Sequence, residues 1–139
     1  MISAVDSSLI LDVVTDAPAF AAASERLLRA AALEGQLVVN ECVLAEIYPA
    51  FGQRQIFEEF FADWQLEFVP SSRQSASLAG EYFARHLKRG GKQGRIVVDF
   101  LIGAHAKMHA DRLIARDRGY LRDYFEDLLV LDPSTLSRE

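Results

Sequence analysis

The chain has 139 residues, half of them hydrophobic and a quarter charged, with a formal net charge of −5. That length suits one domain with a real core, and the composition excludes a disordered chain. The acidic balance argues against a simple electrostatic nucleic-acid binder, which shows a basic footprint, but not against an enzyme whose site is itself built of carboxylates. A single cysteine, Cys42, cannot form an internal disulfide and reads as a small buried hydrophobe in a reducing compartment. No basic segment followed by an apolar one opens the sequence, and no uncharged apolar run approaches the ~20 residues of a membrane span. A soluble, cytoplasmic protein is expected.

In chain order, Met1–Val5 predicts a short buried strand that stops at Asp6-Ser7-Ser8, good residues for opening a helix over Leu9–Val14. Asp16 and Pro18 predict the start of a second helix running to Glu34, with Gly35 as its stop. Leu37–Val39 reads as a buried strand, and Asn40 as the cap of a helix carrying Glu46. A helix over Gln53–Asp63, a strand near Leu66–Val69, a turn at Pro70-Ser71-Ser72 and a helix over Ser75–Leu87 follow. Gly90-Gly91-Lys92-Gln93-Gly94 is the clearest loop. A helix over Ile96–His109, a strand over Arg112–Ala115, Asp117 and a last strand over Leu128–Leu131 complete the order. Strands alternating with helices imply βαβ units. The expectation is therefore one α/β domain over residues 1–139, with a parallel sheet of four to five strands covered by helices on both faces.

Four acids stand out. Asp99 lies inside Ile96-Val97-Val98-Asp99-Phe100-Leu101-Ile102, where a solvated helix face hardly fits its neighbours. A buried carboxylate without compensation costs several kcal/mol. Asp6 and Asp117 follow predicted strands, and Glu46 lies on the helix after the second strand. Open parallel sheets bind ligands outside the carboxyl ends of their strands, so four segments can bring these carboxylates to one cleft. Taken singly, Asp6 and Asp117 have an ordinary role as helix caps, and Glu46 as part of a solvated face. Taken together, oxygen-only donors suit Mg²⁺ or Mn²⁺.

These residues resemble a PIN-domain ribonuclease, and in particular the VapC toxins of bacterial toxin–antitoxin pairs. The matching segments are Val5-Asp6-Ser7-Ser8-Leu9-Ile10, then Val38-Val39-Asn40-Glu41-Cys42-Val43-Leu44-Ala45-Glu46-Ile47, then Asp99-Phe100-Leu101-Ile102-Gly103-Ala104-His105-Ala106, then Leu113-Ile114-Ala115-Arg116-Asp117-Arg118-Gly119-Tyr120. The resemblance spans Ile2 to about Leu131. It implies metal-assisted hydrolysis of RNA phosphodiesters, with Mg²⁺ or Mn²⁺ held by Asp6, Glu46, Asp99 and Asp117. It further implies a VapB-type antitoxin as inhibitor and a homodimer. One departure is Ala115, where the family often has Thr or Ser two residues before its fourth acid. That departure motivates the alternative of an impaired PIN-fold module that binds RNA or a protein without cutting. A phosphoacceptor-aspartate signalling domain is a further rival, though no paired acid after the first strand supports it.

Other features carry less. Lys88-Arg89-Gly90-Gly91-Lys92-Gln93-Gly94-Arg95 is either a solvated loop or a contact for RNA phosphates, and it lacks Walker spacing. Arg116 and Arg118 flank Asp117, suited to pairing with it or to gripping a phosphate. His105 and His109 share helical spacing without an HExxH motif or cysteine partner, and read as surface or interface residues. Phe57, Phe60, Phe61 and Trp64 form an aromatic stripe, by default core, otherwise a patch for a second copy or a partner protein.

Overall fold

The computed structural model describes residues 1–91, 96–116 and 120–133. Five parallel strands form one sheet: β1 (Ile2–Val5), β2 (Gln36–Val39), β3 (Leu66–Phe68), β4 (Arg112–Ile114) and β5 (Val130–Leu131), in the order β3-β2-β1-β4-β5. The helices are α1 (Ser7–Val14), α2 (Ala21–Glu34), α3 (Glu41–Ile47), α4 (Arg54–Asp63), α5 (Arg73–Lys88), α6 (Ile96–His109) and α7 (Tyr120–Tyr124), with a 3-10 turn at Tyr48–Phe51. The expected α/β architecture with a parallel sheet of four to five strands is what forms.

Strand placement follows burial. The three inner strands β1, β2 and β4 are almost wholly buried, as continuous apolar runs in a doubly covered sheet should be, whereas β3 and β5 lie at the edges and are more exposed. Ala4 stands opposite Val38 on one side and Leu113 on the other. The chain steps outward from β1 to β2 to β3, then returns across the sheet to β4. Right-handed crossovers therefore place the α5–α6 connection on the face opposite the earlier helices.

Local chemistry sets the helix ends. Asp6 caps α1, Asn40 caps α3 by accepting from Val43 N–H at 3.2 Å, and Ser72 with Ser75 forms a reciprocal capping box for α5. Gly35 ends α2 where a Cβ would sit 1.8 Å from the Met1 carbonyl oxygen, so only glycine fits that close approach. The second helix departs from expectation. It starts at Ala21 and not at Asp16, because Asp16 takes a left-handed conformation (φ 50°) that closes α1. The short α7 and the 3-10 turn have no counterpart in the sequence reading. The glycine-loop expectation falls mostly on residues 92–95, outside the described residues.

The helix that carries Asp99 is apolar almost all round: Ile96, Phe100, Ile102, Gly103, Ala104, His105 and Ala106 are buried, as befits a helix enclosed by neighbours. It packs against α5, α3, α7, β1 and β4. At Gly103 a Cβ would meet two Phe125 ring carbons at 2.7 and 2.8 Å, and Phe125 is itself fully buried. Gly103→Ala should therefore overpack the α6–α7 contact and cost about 1–3 kcal/mol. Urea denaturation reads it as a lower midpoint at an unchanged m-value.

Candidate active site

The carboxyl edge of the sheet is a row formed by Asp6 after β1, Asn40 after β2 and Ala115 after β4. Asp6 is fixed from both directions. Its backbone N–H donates to the Ile114 carbonyl at 2.9 Å, tying it to the end of β4. Its Oδ2 accepts from the Ser8 N–H at 3.2 Å and the Ser8 hydroxyl at 2.5 Å. The helix-cap role and a site role are thus compatible, because Oδ1 takes no hydrogen bond from the described residues.

Ser7, 1% exposed, donates its hydroxyl to Glu46 Oε1 at 2.8 Å. This bond joins α1 to α3 and brings the second acid beside the first. Glu46 is half-buried one residue before the fully buried Ile47, so its helix turns it inward and not onto a solvated face. Asp99 occupies the first turn of α6, half-buried, where the helix dipole favours an anion. Asp117 lies outside the described residues; Ala115 and Arg116 lead to it from β4. Among the described residues no group of three or more His, Cys, Asp or Glu side chains is close enough to hold a metal ion. The structure thus joins Asp6 to Glu46 through Ser7 and sets Asp99 on its own helix. The donor chemistry, carboxylate oxygens throughout, fits a hard divalent cation.

Two cationic residues prove to be committed inward. Arg116 Nη2 donates to Asp12 Oδ1 at 3.0 Å, and its guanidinium lies 4.2 Å from the centre of the Phe20 ring. Arg112 donates from Nε to the Ser3 hydroxyl and from Nη2 to Glu34, each at 2.8 Å, at the opposite edge of β4. Asp12 is an acid that sequence reasoning passed over. Its signal was present: Leu9-Ile10-Leu11-Asp12-Val13-Val14 surrounds it with apolar residues much as Asp99 is surrounded.

Beside this edge, His105 is 1% exposed, which corrects the surface role expected for it. Burial holds its pKa below the ordinary histidine value; a hydrogen bond to the Val69 backbone opposes this, the His109 ring adds to it, and Glu41 opposes it. Among the described residues Nε2 has no hydrogen-bond partner, so burial disfavours the charged ring. His109 reaches the Ser72 hydroxyl at 3.3 Å. Cys42 is half-buried, with its thiol pKa raised by burial and then by Glu41 and Glu46, which makes it a poor nucleophile.

Over residues 4–125 the sequence matches the family model of the PIN domain. The chain belongs to the PIN domain family. No curated protein matches it. Among solved structures it is similar to VapBC-1 from nontypeable Haemophilus influenzae, at 21% identity and TM-score 0.70 over 96% of this chain and 99% of that one. It is similar to VapBC2 from Rickettsia felis, solved with a fragment of promoter DNA, at 18% identity and TM-score 0.72 over 95% and 98%. FitAcB from Neisseria gonorrhoeae follows the same fold at 17% identity and TM-score 0.68, over 96% and 99%.

Two expected outcomes test this geometry. Ser7→Ala removes a buried hydroxyl that Glu46 accepts from and should cost about 1–3 kcal/mol of stability, measured by chemical denaturation. For His105, the unfolded chain takes up a proton near pH 6.5 while the folded state resists it. Its contribution is complete above that pH and is lost as pH falls through it. The melting temperature should therefore drop between pH 7.5 and 5.5, and the drop should shrink in His105→Gln.

Proposed function

We propose that the chain is a metal-dependent endoribonuclease acting as the toxin of a type II toxin–antitoxin pair, with Asp6, Glu46, Asp99 and Asp117 as its acidic site. The observation that carries this reading is the hydrogen bond to Glu46 from Ser7, the residue next to Asp6, at the carboxyl edge of a PIN fold. These carboxylates would hold Mg²⁺ or Mn²⁺, which would supply a more acidic water and charge stabilisation for the phosphate.

The chain's own residues supply the rest. Ser8 and the α1 cap hold Asp6 in one orientation, Ser7 holds Glu46, and the buried α6 presents Asp99 from a rigid element. One of these carboxylates accepts the proton of the attacking water as the water oxygen bonds to phosphorus and the ester oxygen departs. Arg85 and Arg89, at the end of α5, stack 5.1 Å from the Tyr82 and Tyr124 ring centres, and among the described residues neither has a carboxylate partner. With Lys88 they form a cationic margin on the helix packed against α6, suited to holding RNA phosphates without reading sequence.

A VapB-type antitoxin is the proposed inhibitor, because similar solved structures include VapBC2 and VapBC-1. A homodimer is proposed as well. Tyr48, Ile56 and Phe68 are each more than 40% exposed, and the aromatic stripe on α4 is only half-buried, which leaves apolar surface for a protein to cover. A cytoplasmic location is proposed with the toxin role; among the described residues no helix is long and apolar enough to cross a membrane.

The second reading, binding without cleavage, is favoured by Ala115, whose buried methyl supplies no hydroxyl at the site's edge. Incubation of antitoxin-free protein with a mixed RNA pool decides between them. Cleavage should require Mg²⁺ or Mn²⁺, stop with EDTA, and fall about 100-fold or more in Asp99→Asn, as loss of several kcal/mol of charge stabilisation requires. RNA that is retained but stays intact under every metal condition would instead establish the binding module.

A further inference from the structure

Asp12 is the one carboxylate among the described residues that is nearly inaccessible, 3% exposed, and nothing in the cleft calls for it. It lies on α1, six residues after Asp6. Its Oδ2 accepts from the Ser24 hydroxyl at 2.8 Å and its Oδ1 from Arg116 at 3.0 Å. Arg116 spends its flat face on Phe20, and among the described residues its buried Nε has no hydrogen-bond partner. Only the Asp12 end of this ion pair is buried, since the Arg116 side chain is 31% exposed; taking a carboxylate out of water is a poor means of gaining stability, and an orphaned buried N–H adds a further penalty. The cost is borne at the residue that immediately precedes the fourth acid.

The same strand end is tied down a second time, by the Asp6 N–H to the Ile114 carbonyl. The exit of β4 is therefore held at both ends of α1, through Asp6 at its start and Asp12 near its finish. We propose that Arg116 is a positioning residue: its pairing with Asp12 locks the β4 exit onto α1, the helix that Asp6 opens, so that Asp6 is held on one rigid body with the end of β4. Arginine suits this because a planar guanidinium can stack on a ring and donate to a carboxylate at once, which lysine cannot. The consequence for catalysis rests on the nuclease reading above; the consequence for metal affinity does not require cleavage. The competing role is direct contact with an RNA phosphate, for which the guanidinium would have to leave Asp12.

The test compares wild type, Arg116→Gln and Arg116→Lys by Mn²⁺ titration followed by electron paramagnetic resonance, alongside steady-state RNA cleavage and a melting curve for each. Arg116→Gln should raise the Mn²⁺ dissociation constant and lower kcat by about 10-fold or more, the range typical of lost outer-shell support. KM for RNA should stay within about 2-fold, since no ground-state contact is removed. Arg116→Lys, which keeps the charge but not the stack, should fall between the two. Unchanged Mn²⁺ affinity and kcat in folded Arg116→Gln overturn the proposal. So does an effect confined to KM with a shallower salt dependence, which makes Arg116 a phosphate contact. If the Gln variant does not fold, Arg116→Lys decides, and wild-type Mn²⁺ affinity there overturns it. Wild type that binds Mn²⁺ but cuts no RNA removes the nuclease reading while the Mn²⁺ comparison still tests Arg116; wild type that binds no Mn²⁺ removes both.

Discussion

The position of β1 between β2 and β4 is the constraint from which the site follows. A parallel strand in mid-sheet has its backbone bonded on both sides, so the residue just past its end has little freedom. Asp6 is that residue, and its own N–H extends the ladder one step to the Ile114 carbonyl. From that fixed point α1 departs, Ser7 reaches the acid on α3, and Asp12 reaches the residue after Ala115 on the far side of β1. Segments more than 100 residues apart in sequence thereby acquire one shared origin.

Charge inside the domain is managed by three different means. Asp12 is neutralised by a cation and a hydroxyl. Arg112 is spread between a serine and Glu34 at the opposite edge. At the carboxyl edge Asp6 Oδ2 accepts from the Ser8 hydroxyl and Glu46 Oε1 from the Ser7 hydroxyl. Asp12 is thus paired with a cation, whereas Asp6 is held by a hydroxyl and a backbone N–H. Rigidity accompanies it, since α6 is enclosed on nearly every side and Gly103 lets α7 close against it.

Much of the fold was legible because local chemistry and burial agree. Asp6, Asn40 and Gly35 sit where capping and stopping rules place them, and the helix over Ile96–His109 forms with those bounds. The start of α2 was misread because Asp16 is equally suited to a cap and to a left-handed turn, and only the closure of α1 decides between them. The two acids joined by Ser7 were legible as site candidates, but the serine's part in joining them was not. Asp12 was missed because its partner lies 104 residues away; a sequence shows the apolar run around an acid but not the arginine that meets it. For the same reason Arg116 was read as a neighbour of Asp117, whereas its side chain turns to α1. His105 was assigned to the surface because spacing on a helix does not reveal how much of that helix its neighbours cover.

The most direct measurement is diffraction from crystals soaked in Mn²⁺, recorded at a wavelength where manganese scatters anomalously. A strong peak at coordinating distance from Asp6 and Asp99, weakened in Asp6→Asn, is the result that the proposed acidic metal site predicts. A well-ordered crystal with no such peak, or with manganese bound elsewhere on the surface, would contradict the acid cleft as a metal site.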